Sequence, residues 1–293
     1  MRPFTKRLSL IIFIGLASIV ALVFVGRWLN ANKIGGQGYA EPFRIAGNFY
    51  YVGATDAAAF LITGPDGHIV IDGGYPTTAA LIMESIATLG FDIKDVKVLL
   101  NSEPHPDHAG GLGVLKKASG AELWASEASA FTLESGGDDP DLLLPLRMLV
   151  WIGVVGYPEI HVDHIFKDGD IIQLGSLALT AHITAGHTRG CTSYSFEVSD
   201  ADRKLNVVSA CDLGRLATSQ YPEQAADLER SFTVLRNLPV DIWVTCHARS
   251  WGRYRKFVAS TTADDPVQPF IDPDGYHAFI GSAETELSDG RLH

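Results

Sequence analysis

The feature that most constrains this chain is a short apolar segment that runs directly into a loop of polar side chains. Val96–Leu100 is typical of a buried strand, and the loop Asn101–Gly111 follows it without a break. The loop carries four potential metal ligands within six residues, namely Glu103, His105, Asp107 and His108. Ligand sites in α/β folds form outside the carboxyl ends of strands, so this loop predicts a metal site at a strand end.

The spacing of these ligands suggests how they divide between ions. In an extended loop alternate residues point the same way, so we expect Glu103 and His105 to share one cation. Asp107 and His108 are adjacent, and the same geometry predicts that they point apart and serve a second cation. Imidazole and carboxylate donors with positions left open for water suit zinc.

Two further histidines lie in matching places. His187 belongs to the segment Ala185–Thr188, directly after a predicted strand, and His247 follows another strand in Thr245–His247. A lone histidine at a strand end is usually structural. Together with the ligand-rich loop, however, these two favour a shared site.

Composition narrows the class of protein. The chain has 293 residues, of which 46% are hydrophobic and 19% charged, so it can bury a large core and is not disordered. Beyond residue 33 it holds 18 basic against 34 acidic residues, a net charge of −16. Phosphate binding needs clustered Lys and Arg, so this acidity excludes a general nucleic-acid binder. We expect a small-molecule substrate instead, and the sequence indicates no particular oligomeric state.

The N-terminal segment predicts export. Residues 1–7 are basic and residues 8–26 are apolar apart from two serines, enough for a helix of about 28 Å against a hydrocarbon core of about 30 Å. Residues 1–33 are therefore either a signal peptide or a membrane anchor, and the directly following Arg27 and Trp28 favour the anchor. Either way we expect a periplasmic protein, soluble after cleavage or anchored to the inner membrane by residues 8–26.

Beyond a linker at residues 34–42, residues 43–293 are expected to form one domain. Predicted strands alternate with helices in both halves, which favours two α/β layers packed sheet to sheet.

The apolar segment at residues 142–157 has three interpretations: a core helix, a lid over a site, or a patch against a membrane or partner. The chain has only three cysteines. One pair of them can oxidise outside the cytoplasm, but three buried free thiols are the favoured interpretation.

The ligand-rich loop, Glu103-Pro-His-Pro-Asp-His-Ala-Gly-Gly111, resembles the HxHxDH motif of the metallo-β-lactamase superfamily, with Glu103 in place of the first His. The strand end Asp72–Gly74 and the two histidine segments follow in the family's order. The finer similarity, carried by Ser135–Asp139 and Arg230–Phe232, is to the third subclass of metallo-β-lactamases. The resemblance covers about residues 43–260 and implies an α/β fold, the four-layer αβ/βα sandwich of this superfamily.

The resemblance also implies a ligand set for two zinc ions. His105 and His187 would bind the first ion together with Glu103, and the second ion would be bound by Asp107, His108 and His247. Glu103 keeps an oxygen ligand but adds negative charge, which should make the first ion a weaker Lewis acid.

A second departure lies at Cys211-Asp212. Relatives place a Cys ligand, a Ser or a bridging Asp in this strand. By register Asp212 takes that position, as a possible ligand or bridge, and Cys211 points away.

The implied reaction is hydrolysis of the β-lactam ring of antibiotics, in which a hydroxide held by the metals attacks the carbonyl carbon. Asp107 would bind metal and orient the hydroxide. Asp72 would fix the ligand loop from behind or serve only as a helix cap, and Arg215 with Thr218 would contact the substrate carboxylate. Two alternatives remain open: a hydrolase of the same fold that acts on a lactone, thioester or ester, and a binding or scaffold protein with a degraded site.

Overall fold

The computed structural model of the protein describes residue 15, residues 17–29 and residues 38–291. The strands of the described chain are β1 (Phe43–Ala46), β2 (Phe49–Tyr51), β3 (Phe60–Gly64), β4 (Gly67–Ile71), β5 (Val96–Leu100), β6 (Glu122–Ser126), β7 (His164–Phe166), β8 (Ile171–Leu174), β9 (Leu177–Ile183), β10 (Thr192–Asp200), β11 (Arg203–Ala210) and β12 (Ile242–Thr245). The α-helices beyond residue 38 are α1 (Thr78–Thr88), α2 (Pro106–Ala109), α3 (Leu112–Ser119), α4 (Glu127–Glu134), α5 (Leu144–Trp151), α6 (Gln224–Arg236), α7 (Arg253–Ser260) and α8 (Pro273–Ser288). Residues 17–29 are helical as well.

The strands form two sheets. The first runs in the order β1-β2-β3-β4-β5-β6-β7, and the second in the order β12-β11-β10-β9-β8. In the first sheet β1 to β4 pair antiparallel, and β4 to β7 pair parallel. In the second sheet β8 to β11 are antiparallel, and β12 joins β11 in parallel.

The central strands of the first sheet are apolar on both faces because each face covers a different core. Ile69 and Ile71 of β4 contribute to the core between the two sheets, whereas Val70 between them contributes to the core under the outer helices. Successive side chains of a strand point to opposite faces, so a continuous apolar run suits a sheet buried on both sides.

Helices cover the outer face of each sheet. Ile82 of α1 and Leu112 and Leu115 of α3 pack on the first sheet. Phe232 of α6 and Ile280 of α8 pack on the second. The result is the four-layer α/β sandwich that the resemblance implies.

The cysteines correct one expectation. Cys191, just before β10, forms a disulfide with Cys211, just after β11, and only Cys246 is a free buried thiol. The prediction of three free thiols was wrong because β10 and β11 pair antiparallel, which brings the two distant positions together. The disulfide takes the Cys211 side chain away from the face on which Asp212 lies.

None of the helices in the described ranges is both long and apolar enough to cross a bilayer. Part of the predicted apolar run, residues 8–14 and 16, lies outside the described residues, as do residues 1–7 and 30–37. The signal or anchor and the division into domains therefore stay predictions.

Candidate metal centre

Five strand ends meet at one edge of the sandwich. Asp72 follows β4, and the segment from Glu103 to His108 follows β5. From the other sheet, His187 lies between β9 and β10, Asp212 follows β11, and His247 follows β12. Because the two sheets pack face to face, side chains that are far apart in sequence converge there.

One group of donors surrounds a carboxylate oxygen of Glu103. Glu103 Oε2 lies 2.6 Å from His105 Nδ1 and 3.2 Å from His187 Nε2. The ligand atoms of these three residues lie within 4.8 Å of one another, and Glu103 is fully buried. This is the trio that the sequence predicts for the first metal ion.

A second group lies beside it. His108 Nε2 is 3.2 Å from Asp107 Oδ2, and the rings of His108 and His247 meet edge to face with centroids 4.9 Å apart. Asp212 Oδ2 lies 3.4 Å from His247 Nε2, and Asp212 Oδ1 lies 4.0 Å from His187 Nδ1. Asp212 therefore lies between the two groups, and Cys211 does not face them.

The path of the ligand loop differs from the expected one. The loop is extended only as far as His105, and Pro106 then begins the helical turn α2. Proline suits the first position of a helix because its ring fixes φ near the helical value. The turn makes the Asp107 and His108 side chains converge, so the prediction that they point apart was wrong, although both still face the centre.

Asp72 holds the start of this loop from behind. Its carboxylate accepts hydrogen bonds from Ser102 N at 2.8 Å and Ser102 Oγ at 2.6 Å, and it lies 3.9 Å from His108 Nδ1. Burial raises the pKa of Asp72 to about 6, against the lowering effects of His108 and Ser102. Asp72 also has a positive φ of 64°, which few residues other than glycine adopt.

The glycines on either side of the centre allow two backbone segments to touch. Gly73 N donates to His108 O, and Gly111 N donates to Gly74 O, each at 2.8 Å. A Cβ on Gly111 would collide with the carbonyl oxygen of Gly73. The end of β4 and the ligand loop are thus fixed to each other through their main chains.

His187 is oriented by its second ring nitrogen. Its Nδ1 lies 2.7 Å from Gly214 O, which fixes Nδ1 as the donor and leaves Nε2 to face Glu103. Asp212 Oδ1 accepts a hydrogen bond from Gly214 N at 2.7 Å. One short turn after β11 therefore positions both residues.

The histidines and carboxylates of the centre shift one another's pKa values. Burial would raise the pKa of Glu103, but His187, His108 and His105 outweigh it and hold that pKa well below its usual value. Conversely, burial lowers the pKa of His187, but Glu103 and Asp212 outweigh it and raise that pKa to about 10. Anionic carboxylates with nitrogen donors aimed at the same points form a set that fits a divalent metal ion.

A cleft of about 1130 Å³ opens over the two groups. Its floor includes His105, Asp107 and His247, and Leu142, Leu146 and Val155 line one side of it. These apolar residues belong to the segment at residues 142–157, which includes α5. No residue of α5 is buried, and Leu144, Met148 and Trp151 are more than half exposed. The core-helix interpretation is therefore wrong. Residues 142–157 lie beside the cleft, where the lid interpretation places them, and we call this segment the lid. A patch against a membrane or partner stays a prediction.

The two residues predicted to contact the substrate lie in different surroundings. Thr218 lines the cleft, and its carbonyl oxygen accepts a hydrogen bond from Leu143 N in the lid. Arg215 is not among the described residues that line the cleft, and its Nε donates to Gln224 Oε1 instead. Sequence reasoning missed Arg249 and Arg255, which do line it. Arg249 lies two residues after His247, and that proximity to a ligand was the available signal.

The fold and the centre define a class of protein. The model of the metallo-beta-lactamase superfamily matches residues 52–201, half of the chain, and the chain belongs to this family. Among solved structures it is similar to the Rm3 metallo-beta-lactamase, with 37% identity and a TM-score of 0.80 over 88% of this chain and 96% of that one. It is also similar to BJP-1, a subclass B3 metallo-beta-lactamase of Bradyrhizobium japonicum, with 30% identity and a TM-score of 0.77 over 87% and 95%.

Curated relatives of the family are more distant. A hydroxyacylglutathione hydrolase of Rhodopseudomonas palustris (strain BisB18) is 24% identical over 69% of each chain. The N-acyl homoserine lactonase AttM of Agrobacterium fabrum (strain C58) is 27% identical over 52% of this chain. That match spans 63% of the lactonase. The protein is therefore a hydrolase of this superfamily, and the fold implies a divalent metal.

Proposed function

We propose that the protein opens the β-lactam ring of antibiotics with two zinc ions. One observation carries this proposal: the chain is similar along 88% of its length to a metallo-beta-lactamase, and five of its six predicted metal ligands line one cleft, namely His105, Asp107, His108, His187 and His247. Glu103, His105 and His187 would hold the first ion. Asp107, His108 and His247 would hold the second, with Asp212 beside both.

When bound, the ions would polarise the scissile carbonyl group and lower the pKa of water. Asp107 then has the position of the orienting base, because its Oδ2 lies in the second group and the residue lines the cleft. Burial would raise the pKa of Asp107, but His108 outweighs it and holds that pKa well below its usual range. The carboxylate is therefore charged and can bind metal and orient the attacking water.

The cleft would provide substrate binding of two kinds. Leu142, Leu146 and Val155 offer an apolar side for the body of the substrate. Arg249 and Arg255 also line the cleft and offer positive charge, which suits a substrate carboxylate. Arg249 is bound to Asp56 by hydrogen bonds of 3.0 Å and 2.8 Å, so Arg255 is the better candidate for this contact.

A second candidate function is hydrolysis of a lactone or thioester, and Asp212 is the observation that favours it. A carboxylate between two donor groups makes the centre richer in negative charge than the predicted six ligands alone. The distant relatives named as a lactonase and a hydroxyacylglutathione hydrolase support the same class of substrate.

The deciding experiment measures hydrolysis of nitrocefin by the zinc-loaded full chain beside panels of lactones and thioesters. Turnover of nitrocefin that is lost in Asp107→Asn but kept in Glu197→Gln supports the proposal. Glu197 is a matched control because it is a carboxylate in an exposed ion pair with Lys204. Turnover of a lactone or thioester without any β-lactam would instead establish the second candidate.

We also infer that the chain is exported to the periplasm, where it is soluble after cleavage or anchored by residues 8–26. The basic and then apolar N-terminal segment supports this. The disulfide between Cys191 and Cys211 supports it too, because such bonds persist in oxidising compartments. Cell fractionation with mass spectrometry of the mature N-terminus tests it, and a cytosolic, uncleaved chain would contradict it.

A further inference from the structure

Cys246 is the one cysteine outside the disulfide, and it lies against the unusual ligand of the centre. The residue is buried directly before His247, and its Sγ is 3.7 Å from Glu103 Oε1. The distance is within the range of a thiol hydrogen bond to an oxygen acceptor. The sulfur also lies within 4.8 Å of ligand atoms of Glu103, His108 and His247, close enough to share a metal site with them.

The two oxygens of Glu103 face different neighbours. Oε2 faces His105 and His187, whereas Oε1 faces Cys246 Sγ and, at 3.4 Å, His108 Nε2. An imidazole presents one nitrogen to a metal, but a carboxylate has two oxygens and can turn, chelate or bridge. A glutamate that replaces a histidine ligand therefore needs a neighbour that decides which oxygen binds.

We propose that Cys246 is a positioning residue that makes Glu103 a one-oxygen ligand. Its thiol donates a hydrogen bond to Oε1 and leaves Oε2 to the metal site of His105 and His187. The side chain of Asn101 assists, because its Nδ2 donates to the main-chain carbonyl oxygen of Glu103 at 2.6 Å. This inference rests on the proposed metal-dependent function but concerns metal affinity rather than substrate.

Charge argues against direct ligation by the sulfur. A thiolate would add another negative charge to a centre that already holds Glu103, Asp107 and Asp212. A neutral thiol can donate a hydrogen bond to Oε1 without adding negative charge to the centre.

The test measures metal affinity in the full chain by competition with a chromophoric chelator, and compares Cys246→Ala with Cys246→Ser. We expect the alanine variant to lose about tenfold in affinity, the range that removal of a partner of a metal ligand produces. The serine variant should keep most of the affinity because its hydroxyl is also a donor. In a Glu103→His background, Cys246→Ala should change nothing, because the oxygen that the thiol holds is gone.

The cobalt-substituted protein provides an independent readout. Since the other two cysteines form a disulfide, any thiolate-to-cobalt charge-transfer band must come from Cys246. Absence of that band in a protein that binds cobalt supports the proposal, and its presence overturns it. Unchanged affinity in Cys246→Ala, or the same loss in the Glu103→His background, overturns it as well. These measurements need no substrate. If the chain binds metal as described but hydrolyses none of the substrates in the panels, that result contradicts the proposed function and leaves this inference intact.

Discussion

Asp212 stands between two histidines that the sequence assigns to different metal ions. Its Oδ2 lies 3.4 Å from His247 Nε2, and its Oδ1 lies 4.0 Å from His187 Nδ1. Burial would raise the pKa of Asp212, but His187 and His247 hold it well below its usual range, so the carboxylate is charged.

This position predicts that Asp212 contributes to metal retention. Asp212→Asn keeps the shape of the side chain but removes its charge, and we expect metal affinity to fall about 10- to 100-fold. Titration with zinc in the presence of a competing chelator measures this. Glu197→Gln, which removes an exposed carboxylate, should leave the affinity unchanged. Equal affinities in Asp212→Asn and wild type would show that Asp212 has no contact with metal.

Glu103→His should keep or raise the rate of hydrolysis. The imidazole removes one negative charge from the first donor group and thereby makes its metal a stronger Lewis acid. Steady-state kinetics with metal content measured on the same sample test this, and Glu103→Gln separates loss of charge from gain of imidazole. Complete loss of activity in a metal-loaded Glu103→His protein would mean that the acid has a dedicated role.

The sequence predicts the fold and the donors well because both follow from local patterns. Strands such as β4 are read from short apolar runs, and the ligands of the loop after β5 are adjacent in the chain. Contacts between residues that are distant in sequence, or that depend on the exact path of a loop, cannot be predicted from such local patterns. The pairing of Cys191 with Cys211 depends on the register of β10 and β11, and the convergence of Asp107 with His108 depends on a single helical turn after Pro106.

The sequence allows three interpretations of residues 142–157 for a similar reason. An apolar run gives the same pattern in a core helix and in a lid, and only tertiary packing distinguishes them. Arg215 shows the same limit. The resemblance implies that it contacts the substrate carboxylate, whereas in the structure its Nε donates to Gln224 Oε1.

The lid should affect substrate binding more than chemistry. Leu146 lines the cleft, whereas Leu144 on the same helix is 55% exposed. Leu146→Ala removes apolar contact area worth about 1–2 kcal/mol, which corresponds to a rise in KM of about 5- to 30-fold with little change in kcat. Leu144→Ala is the matched control and should behave as wild type. A comparable rise in KM in both variants would contradict a specific role of the lid residues that line the cleft.

The disulfide should contribute substantially to stability. Cys191 and Cys211 are 20 residues apart, and closing a loop of that length restricts the unfolded chain by about 3 kcal/mol. The Cys191→Ser/Cys211→Ser double variant should therefore unfold at lower denaturant concentration. Cys246→Ser serves as a cysteine control that leaves the disulfide intact. Equal free energies of unfolding for the double variant and wild type would contradict the expected contribution.

The strongest test of the metal centre is the metal content of the protein, measured as a function of pH. In the metal-free protein the raised pKa of His187, about 10, means that a proton occupies the imidazole at neutral pH, and metal must displace it. Affinity should therefore increase as pH rises and weaken markedly in acid, with protons released on binding. We predict about two zinc ions per chain after reconstitution near neutral pH, and a clear loss of zinc at about pH 5. A purified chain that retains no metal at neutral pH after reconstitution would contradict the account.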